Sequence, residues 1–252
     1  MENHAASQIL GSTQAPYLNH LVAACGRAAT YYAVSHPSLP NYLVLTSGST
    51  HGVTDDANPS AHPLGGPSIF TEVAATHRGW TTYAESMPRS CYHLNSGEYV
   101  VRHNPATYYI ELRSTCVWHD AALGTPTAGP FVTRLREDRL SPFTMVVPNV
   151  CHDMHDCSVA TGDAWVRAMM SSILSSRTYA AGGTAVFITW DEDNGAHGNQ
   201  VALIAVAPSI RPGTVAGGTF THRSLLRTTE QLIGLPRTLV PTSPSMRTAF
   251  HI

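Results

Sequence analysis

The chain has 252 residues, of which 43% are hydrophobic and 13% charged, and its formal net charge is −2. That length suits one α/β domain with a core on both faces of a sheet, so we expect residues 1–252 to form a single domain. A net charge near zero gives no reason to expect nucleic acid or an acidic membrane surface as a partner. All 15 basic residues are arginine, and several of the 14 histidines lie beside carboxylates, which favours a metal or acid/base site.

Helical and strand patterns alternate along the chain. The predicted elements, in order, are helix 15–28, strand 30–34, helix 41–45, a helix opening at Ser68, strand 80–84, strand 143–147, helix 161–176, strands 184–190 and 201–207, and helix 221–232. The last two strands are continuous apolar runs, as is typical of strands covered on both faces. The alternation predicts a three-layer α/β/α sandwich with a mostly parallel central sheet.

Between these elements the composition changes. Residues 87–130 are rich in Pro, Gly, Asn and Tyr, which predicts long ordered loops over one edge of the sheet, and the tail after Pro236 is expected to be irregular. No apolar run reaches the length of a transmembrane segment, and no signal peptide is recognisable at the start of the sequence.

Five cysteines allow two interpretations. In an exported protein, Cys91 would pair with Cys116 across the loop-rich region and Cys151 with nearby Cys157, leaving Cys25 buried and free. In a cytosolic protein all five would be reduced thiols. We favour a secreted or extracytoplasmic protein.

Polar clusters follow the predicted strands. The strand at 184–190 is followed by DEDNG, the strand at 143–147 leads into CHDMHDC, and the sequence opens with Met-Glu-Asn-His. Each cluster alone is most simply a solvated turn, an exposed loop or a polar tail. Because α/β folds collect reactive groups at the carboxyl ends of strands, the clusters together predict a cation site.

Ser38 lies between two prolines, immediately before a helical pattern, in SHPSLPNYLVLTSGSTHGV. Serine is a preferred N-cap, so an ordinary capping role is one interpretation. The other is a nucleophile at a helix N-terminus, where free N–H groups and the helix dipole favour a phosphate. Local reasoning does not separate the two.

The same stretch resembles the nucleophile segment of the alkaline-phosphatase superfamily. More closely, the chain is similar to the phosphoesterase family that contains bacterial phospholipases C and metal-dependent acid phosphatases. The segments that carry the similarity are MENHAASQILGSTQAPYLNHL, HPSLPNYLVLTSG, YAESMPRSC, RHNPATYY, VVPNVCHDMHDCS, FITWDEDNG, VALIAVAPSI and THRSLLRTTEQLIGLP.

The resemblance implies a role for individual residues. Ser38 would be the nucleophile, and Asn3 together with Ser38 would contact the phosphate. The implied metal ligands are Glu2, Asn3, Asp191 and Glu192; the implied active-site histidines are His155 and His103; additional site candidates are Asp153, Asp156 and His222. We expect His155 to protonate the leaving alcohol, with His103 as second choice, and the TSGSTHG turn to shape the pocket wall.

One departure from the family pattern concerns the first strand. Family members normally carry an apolar strand directly before the Glu-Asn motif, and this sequence begins at the motif. We therefore expect the first strand of the sheet to be missing and Glu2 to lie on an unanchored end that frays, which would weaken the metal site.

These residues imply a metal-dependent phosphoester hydrolase that forms a phosphoserine, with a small phosphoester or phospholipid as substrate. The donors suit Ca²⁺, Mg²⁺ or Mn²⁺, and Zn²⁺ if His155 or His222 completes a second site. We favour an acid-phosphatase-type phosphomonoesterase. The alternatives are a phospholipase C-type phosphodiesterase and a non-catalytic binding protein with a crippled metal site. A lipase would expose an apolar patch, and one candidate comprises Tyr92, Tyr99, Tyr108, Tyr109 and Trp118, although such tyrosines more often fill a small satellite core.

Overall fold

The computed structural model describes residues 1–252, which form ten α-helices and seven β-strands. The helices are α1 (Ala6–Ile9), α2 (Pro16–Ala24), α3 (Ser38–Ser47), α4 (Ile69–Ala75), α5 (Cys116–His119), α6 (Pro130–Arg136), α7 (Val159–Leu174), α8 (Arg177–Ala180), α9 (His222–Leu232) and α10 (Arg247–Phe250). The strands are β1 (Gly26–Tyr32), β2 (Trp80–Ala84), β3 (Asp120–Ala122), β4 (Phe143–Val147), β5 (Val186–Thr189), β6 (Leu203–Val206) and β7 (Thr214–Thr221).

The strands form two sheets, in the orders β5-β6-β1-β7 and β3-β2-β4. Strand β2 pairs in parallel with β3 and β4, and β1 pairs in parallel with β7, whereas β6 runs antiparallel to both β1 and β5. Helices and strands lie in layers, which confirms the predicted α/β class. The one central sheet of the prediction is divided in two.

A cavity of about 730 Å³ separates the sheets. It is lined by the edge strands β4 and β5, whose apolar side chains are mostly only half-buried. Met1 lies at its end, where the Met1 amino group donates to the carbonyl oxygen of Thr189 and the amide of Asp191 donates to that of Met1. Strands β4 and β5 therefore face this space with unpaired edges.

The largest difference between the predicted and the observed elements concerns β1 and its partner strand β7. The helix predicted over 15–28 ends at Ala24, and β1 begins at Gly26, four residues before the predicted strand. A Cβ at Gly26 would lie 2.8 Å from the carbonyl oxygen of Thr214 in β7, so this close strand approach requires glycine. Strand β7 itself was not predicted, since its GG pair lowers the strand propensity.

Other elements lie close to their predicted positions. The helix that opens at Ser68, helices α7 and α9, and strands β2, β4, β5 and β6 are confirmed within a few residues. The helix predicted at 41–45 is longer and starts at Ser38. The loop-rich region contains short 3₁₀ turns, α5 and β3, and the tail contains α10, none of which the pattern predicted.

The cysteines pair as expected for an exported protein. Cys91 is bonded to Cys116 and Cys151 to Cys157, while Cys25 is buried and free. None of the helices is long and apolar enough to cross a bilayer.

Two hydrophobic clusters support the site. The larger one packs around β1, β6, α2 and α7, and the smaller one packs α3 and α4 against the loop-rich region. Tyr99, Tyr108 and Tyr109 are buried in the smaller cluster, which confirms the satellite-core interpretation for these tyrosines, whereas Trp118 is exposed.

Candidate active site

Ser38 is the first residue of α3, and Pro37 occupies the N-cap position. Its hydroxyl makes no capping hydrogen bond. Instead, Oγ lies 3.0 Å from Oε1 of Glu2 and 3.3 Å from Oε1 of Glu192, to which it can donate. The side chain is buried. The geometry therefore excludes the capping interpretation and places the hydroxyl among carboxylates.

The residues before Ser38 are held by two asparagines. Oδ1 of Asn41, on the first turn of α3, accepts from the amides of Val34 and Ser35, and its Nδ2 donates to the Ser35 carbonyl. Asn199 donates to the same carbonyl through its own Nδ2. The Pro-Asn pair after Ser38 thus has a structural reason: the asparagine locks the loop that delivers the serine.

Glu2 is anchored, which corrects the expectation of a frayed end. Its amide donates to the carbonyl oxygen of Asp153, and its side chain is 1% exposed. The backbone bonds of Met1 to Thr189 and Asp191 hold the preceding residue. Asn3 follows with φ of 54°, the left-handed region that asparagine tolerates, and this turn directs the chain away from Glu2.

The carboxylates of Glu2, Asp191 and Glu192 are buried close together. Burial and the charge of Glu2 raise the pKa of Asp191 to about 7, and burial and the charge of Asp191 raise the pKa of Glu192 to about 8. Oδ2 of Asp191 is buried and accepts no hydrogen bond. One donor atom each from Glu2, His103 and Asp191 lies within 4.8 Å of the other two. These crowded carboxylates have too few positive groups beside them to balance their negative charge, and oxygen donors of this kind fit a hard divalent cation.

His103 bridges two acids and is buried. Its Nε2 lies 3.1 Å from Oε2 of Glu2 and its Nδ1 3.4 Å from Oδ2 of Asp153, while its ring stacks on Tyr42. Burial alone would lower the pKa of His103, but the Glu2 charge and both carboxylate contacts raise it to about 9. In turn His103, Arg102 and His155 hold the pKa of Glu2 well below its usual range, against the effect of burial. His103 is therefore better placed to hold the Glu2 carboxylate than to protonate a leaving group.

His155 is an exposed histidine of the site. Its Nδ1 lies 2.6 Å from Oδ1 of the exposed Asp156, and its Nε2 faces Glu2 at 3.9 Å. Its amide donates to Oδ1 of the buried Asp153. Asp153 therefore holds the loop, Asp156 orients the ring, and Nε2 points toward the carboxylates around Ser38.

His222 is not free to bind a metal, which removes it from the predicted second site. Its Nε2 donates to the carbonyl oxygen of Asp191 at 2.6 Å, so Nδ1 accepts from the hydroxyl of Tyr31 at 2.9 Å. The side chain is buried, and burial lowers its pKa to about 4. A neutral His222 thus holds the backbone of Asp191.

Sequence reasoning missed three further residues at the site. His36 lies 2.8 Å from Oε2 of Glu192 and also contacts Asp193. Arg102 lies 3.4 Å from the Glu2 oxygen that Ser38 contacts, and Asp56 accepts from the amide of Leu39 at the start of α3. His36 and Arg102 adjoin predicted residues in the chain, which was an available signal. Asp56 lies in an unremarkable TDD turn.

The structure also describes two segments singled out in the sequence, DEDNG and TSGSTHG. In DEDNG, Asp193 does form a turn, accepting from the amides of Gly195, His197 and Asn199, while Asp191 and Glu192 point inward and are buried. The TSGSTHG turn does not shape the pocket wall. It follows the C-terminal end of α3, opposite Ser38, where His51 contacts Ser47.

Known proteins resemble this chain in sequence and fold. The model of the Phosphoesterase family matches residues 3–236. A phosphatidylinositol-3-phosphatase of Mycobacterium tuberculosis is 32% identical over 94% of this chain and 76% of its own length. A phosphate-repressible acid phosphatase of Penicillium chrysogenum is 28% identical over 82% of this chain, and the match spans about half (51%) of the fungal protein.

The fold has a wider set of relatives. An alkaline phosphatase superfamily protein from Vibrio parahaemolyticus superimposes with a TM-score of 0.63 at 12% identity, over 93% of this chain and 65% of that one. A putative sulfatase from Bacteroides thetaiotaomicron gives 0.68 at 12% identity, over 98% and 72%. At this identity the likeness concerns the fold alone. The family match over nearly the whole chain shows that the protein belongs to the Phosphoesterase family and is a hydrolase of phosphoric esters.

Proposed function

We propose that this chain is a metal-dependent phosphomonoesterase of acid-phosphatase type with Ser38 as its nucleophile. The observation that carries the proposal is the position of the Ser38 hydroxyl, at the start of α3 and within 3.3 Å of carboxylate oxygens of Glu2 and Glu192. The names of the relatives, a phosphatidylinositol phosphatase and an acid phosphatase, support phosphate-ester cleavage that releases phosphate. We also propose that residues 1–252 act as one phosphoesterase domain, in line with the extent of the family match.

We infer that Glu2, Asp191 and Glu192 would hold a divalent cation, since buried oxygens of these carboxylates lack hydrogen-bond partners, and that Asn3 would join them as the resemblance implies. When bound, such an ion lowers the pKa of a hydroxyl that it contacts and neutralises nearby phosphate charge. Oxygen donors favour Ca²⁺, Mg²⁺ or Mn²⁺. Zn²⁺ has less support because both nitrogens of His222 are engaged.

In the first step, Ser38 Oγ forms a bond to phosphorus and its proton passes to Glu192 Oε1, to which it already donates, while the bond from phosphorus to the alcohol oxygen breaks. His155 Nε2 gives a proton to the departing alcohol, and Asp156 holds the ring through Nδ1. Water then cleaves the phosphoserine, with His155 taking the proton of the attacking water and Ser38 regaining its own.

The phosphate needs positive groups around its non-bridging oxygens. The helix amides contribute less than the sequence suggested, since the Leu39 amide is bound to Asp56 and Pro40 has none. Arg102 is the nearest alternative, because its guanidinium shares the Glu2 oxygen that Ser38 contacts. We therefore add Arg102 to Asn3 as a phosphate contact.

The two alternatives from the sequence differ in support. A phospholipase C-type phosphodiesterase keeps the same nucleophile, and the exposed Trp118 favours a lipid substrate for either chemistry. A non-catalytic binding protein has lost its main argument, because Glu2 is anchored and buried. The two disulfides support an oxidising, extracytoplasmic location.

A hydrolysis panel tests this function. Parent, Ser38→Ala and Ser47→Ala are compared on a chromogenic phosphomonoester, a phosphodiester and a phospholipid, with and without chelator. Ser47 lies at the other end of the same helix, so Ser47→Ala is a matched control. We expect Ser38→Ala to lose at least about a thousandfold in kcat with unchanged Tm, and Ser47→Ala to stay near the parent.

Two results would contradict the proposal. Full activity in Ser38→Ala excludes the nucleophile, and activity that persists after prolonged chelation excludes the metal. Faster cleavage of the phosphodiester than of the monoester would favour the phospholipase alternative. The covalent step is checked separately by acid-quenching the parent with substrate and searching for phosphate on the peptide that contains Ser38.

A further inference from the structure

Most of the exposed large apolar side chains fall in one stretch of the sequence. Five large hydrophobic residues are exposed, and four of them lie between residues 94 and 118: Leu94, Ile110, Val117 and Trp118. Trp118 is 79% exposed, although burying an indole is strongly favourable. The other three tryptophans, Trp80, Trp165 and Trp190, are buried.

Two short segments carry most of these exposed side chains. Residues 89–94 (RSCYHL) and 113–118 (RSTCVW) are joined by the Cys91–Cys116 disulfide. They contain two exposed arginines, and the exposed acids Glu98 and Glu111 lie just outside them. We call this surface the disulfide patch and define it by Arg89, Leu94, Arg113, Val117 and Trp118.

The disulfide patch is connected to the candidate active site. Asp120, which follows α5, accepts from Nδ2 of Asn104, and Asn104 follows His103 in the chain. The carbonyl oxygen of Asp120 accepts from the amide of Cys91. The amide of Val150, in the loop that carries His155, donates to the carbonyl oxygen of Glu98, a few residues after Leu94. A body docked on the patch would therefore lie near the loops that build the site.

We propose that the disulfide patch docks on an anionic phospholipid surface. Tryptophan and aliphatic side chains enter the boundary between head groups and acyl chains, and arginines beside them attract anionic head groups. The protruding indole suits insertion into a bilayer, whereas a stable protein interface needs about 800 Å² from each partner, more than these few side chains supply. The net charge of −2 suggested no acidic surface as partner, but Arg89 and Arg113 lie beside the exposed apolar side chains of the patch.

Docking on a membrane does not depend on the catalytic proposal, so it is tested by binding alone. The purified, oxidised full chain is mixed with phosphatidylcholine vesicles that contain or lack phosphatidylserine. Sedimentation measures the bound fraction, and the emission maximum of tryptophan reports the surroundings of Trp118, since the other tryptophans are already buried. We expect sedimentation and a blue shift with phosphatidylserine, both weakened by salt.

Variants assign the binding to the patch. Trp118→Ser should lower the partition coefficient by about tenfold or more, and Arg89→Gln and Arg113→Gln by about fivefold each. The matched control is Val215→Ser, which removes an exposed aliphatic side chain from β7 and should bind like the parent. All four positions are exposed, so an unchanged Tm confirms that each variant folds.

Several results would overturn the proposal. These are no binding by the parent, equal binding to neutral and anionic vesicles, or parent-like binding by Trp118→Ser. Self-association that Trp118→Ser abolishes, without any vesicle binding, would assign the patch to a second copy of the chain instead.

Discussion

The hydroxyl of Ser38 meets two carboxylates that are 36 and 154 residues away along the chain. The site therefore depends on segments that are distant along the chain packing together. The histidines illustrate how contacts divide roles among residues of one type. His103 is enclosed by two acids, His222 holds a backbone carbonyl, and His155 and His36 are exposed with rings oriented by carboxylates.

Asp120 has a consequence for stability at the residue scale. It is buried, it accepts two contacts from Asn104, and burial raises its pKa to about 7, above its ordinary value of 3.8. The folded protein therefore holds a proton that the unfolded chain releases. The stabilisation is complete below about pH 4 and is lost as pH rises from there to about 7.

We predict that Asp120→Asn, which cannot ionise, removes this part of the pH dependence. Between about pH 5 and pH 8 the parent should lose about 2–4 kcal/mol of unfolding free energy relative to the variant. Urea denaturation at both pH values measures the difference, with exposed Glu137→Gln as control. Parallel pH profiles for parent and Asp120→Asn would show that Asp120 does not titrate in this range.

At the scale of elements, both the loop that leads into α3 and the packing of α3 determine where Ser38 lies. Asn41 satisfies the amides of Val34 and Ser35 and thereby sets the path of the loop into Ser38. The apolar residues of α3 pack in the smaller cluster and hold the helix in place. One side chain thus links the fold of a loop to the position of the proposed nucleophile.

Asn41→Leu should leave both amides without an acceptor. We expect a loss of about 2–4 kcal/mol in unfolding free energy and a fall in kcat for the molecules that remain folded. The control is Asn19→Leu, which removes hydrogen bonds around α2, far along the chain from Ser38. Asn19→Leu should lower stability but keep kcat, and an equal fall of kcat in both variants would contradict a positioning role for Asn41. Activity and urea denaturation are measured on the same samples.

At the scale of the molecule, a cavity lies between the two sheets. Strands β4 and β5 turn free edges toward a cavity of about 730 Å³, and the backbone of Met1 already bonds to Thr189 and Asp191 at its end. Half-buried apolar strands with unpaired edges are a liability for stability and solubility. An extended apolar segment would bury them from both sides.

We therefore predict that fusing about six alternating Val and Ile residues ahead of Met1 stabilises the protein. The added strand should bond to β4 and β5 and raise Tm by about 5–15 °C, which corresponds to several kcal/mol. A Gly/Ser extension of equal length is the control and should change little. Equal effects of both extensions on Tm, measured by calorimetry, would show that the cavity does not accept a strand.

Much of the fold was predictable because its signals are local. Continuous apolar runs predicted β5 and β6, helical periodicity predicted α7 and α9, and the positions of the cysteines suggested both disulfides for an exported protein. Strand β7 escaped prediction since its GG pair has low strand propensity and its stability comes from pairing with β1. Tertiary pairing overrode the local preference there.

By itself, the sequence determined the family, the α/β class and the carboxylate, amide and imidazole side chains that follow the strands. These depend on residues adjacent in the chain. Only the tertiary structure decided that Glu2 is buried, that His222 binds a backbone carbonyl and that Arg102 and His36 join the site. It also separated the buried tyrosines from the exposed Trp118. These properties arise from burial and from contacts between residues distant in sequence, which local patterns do not specify.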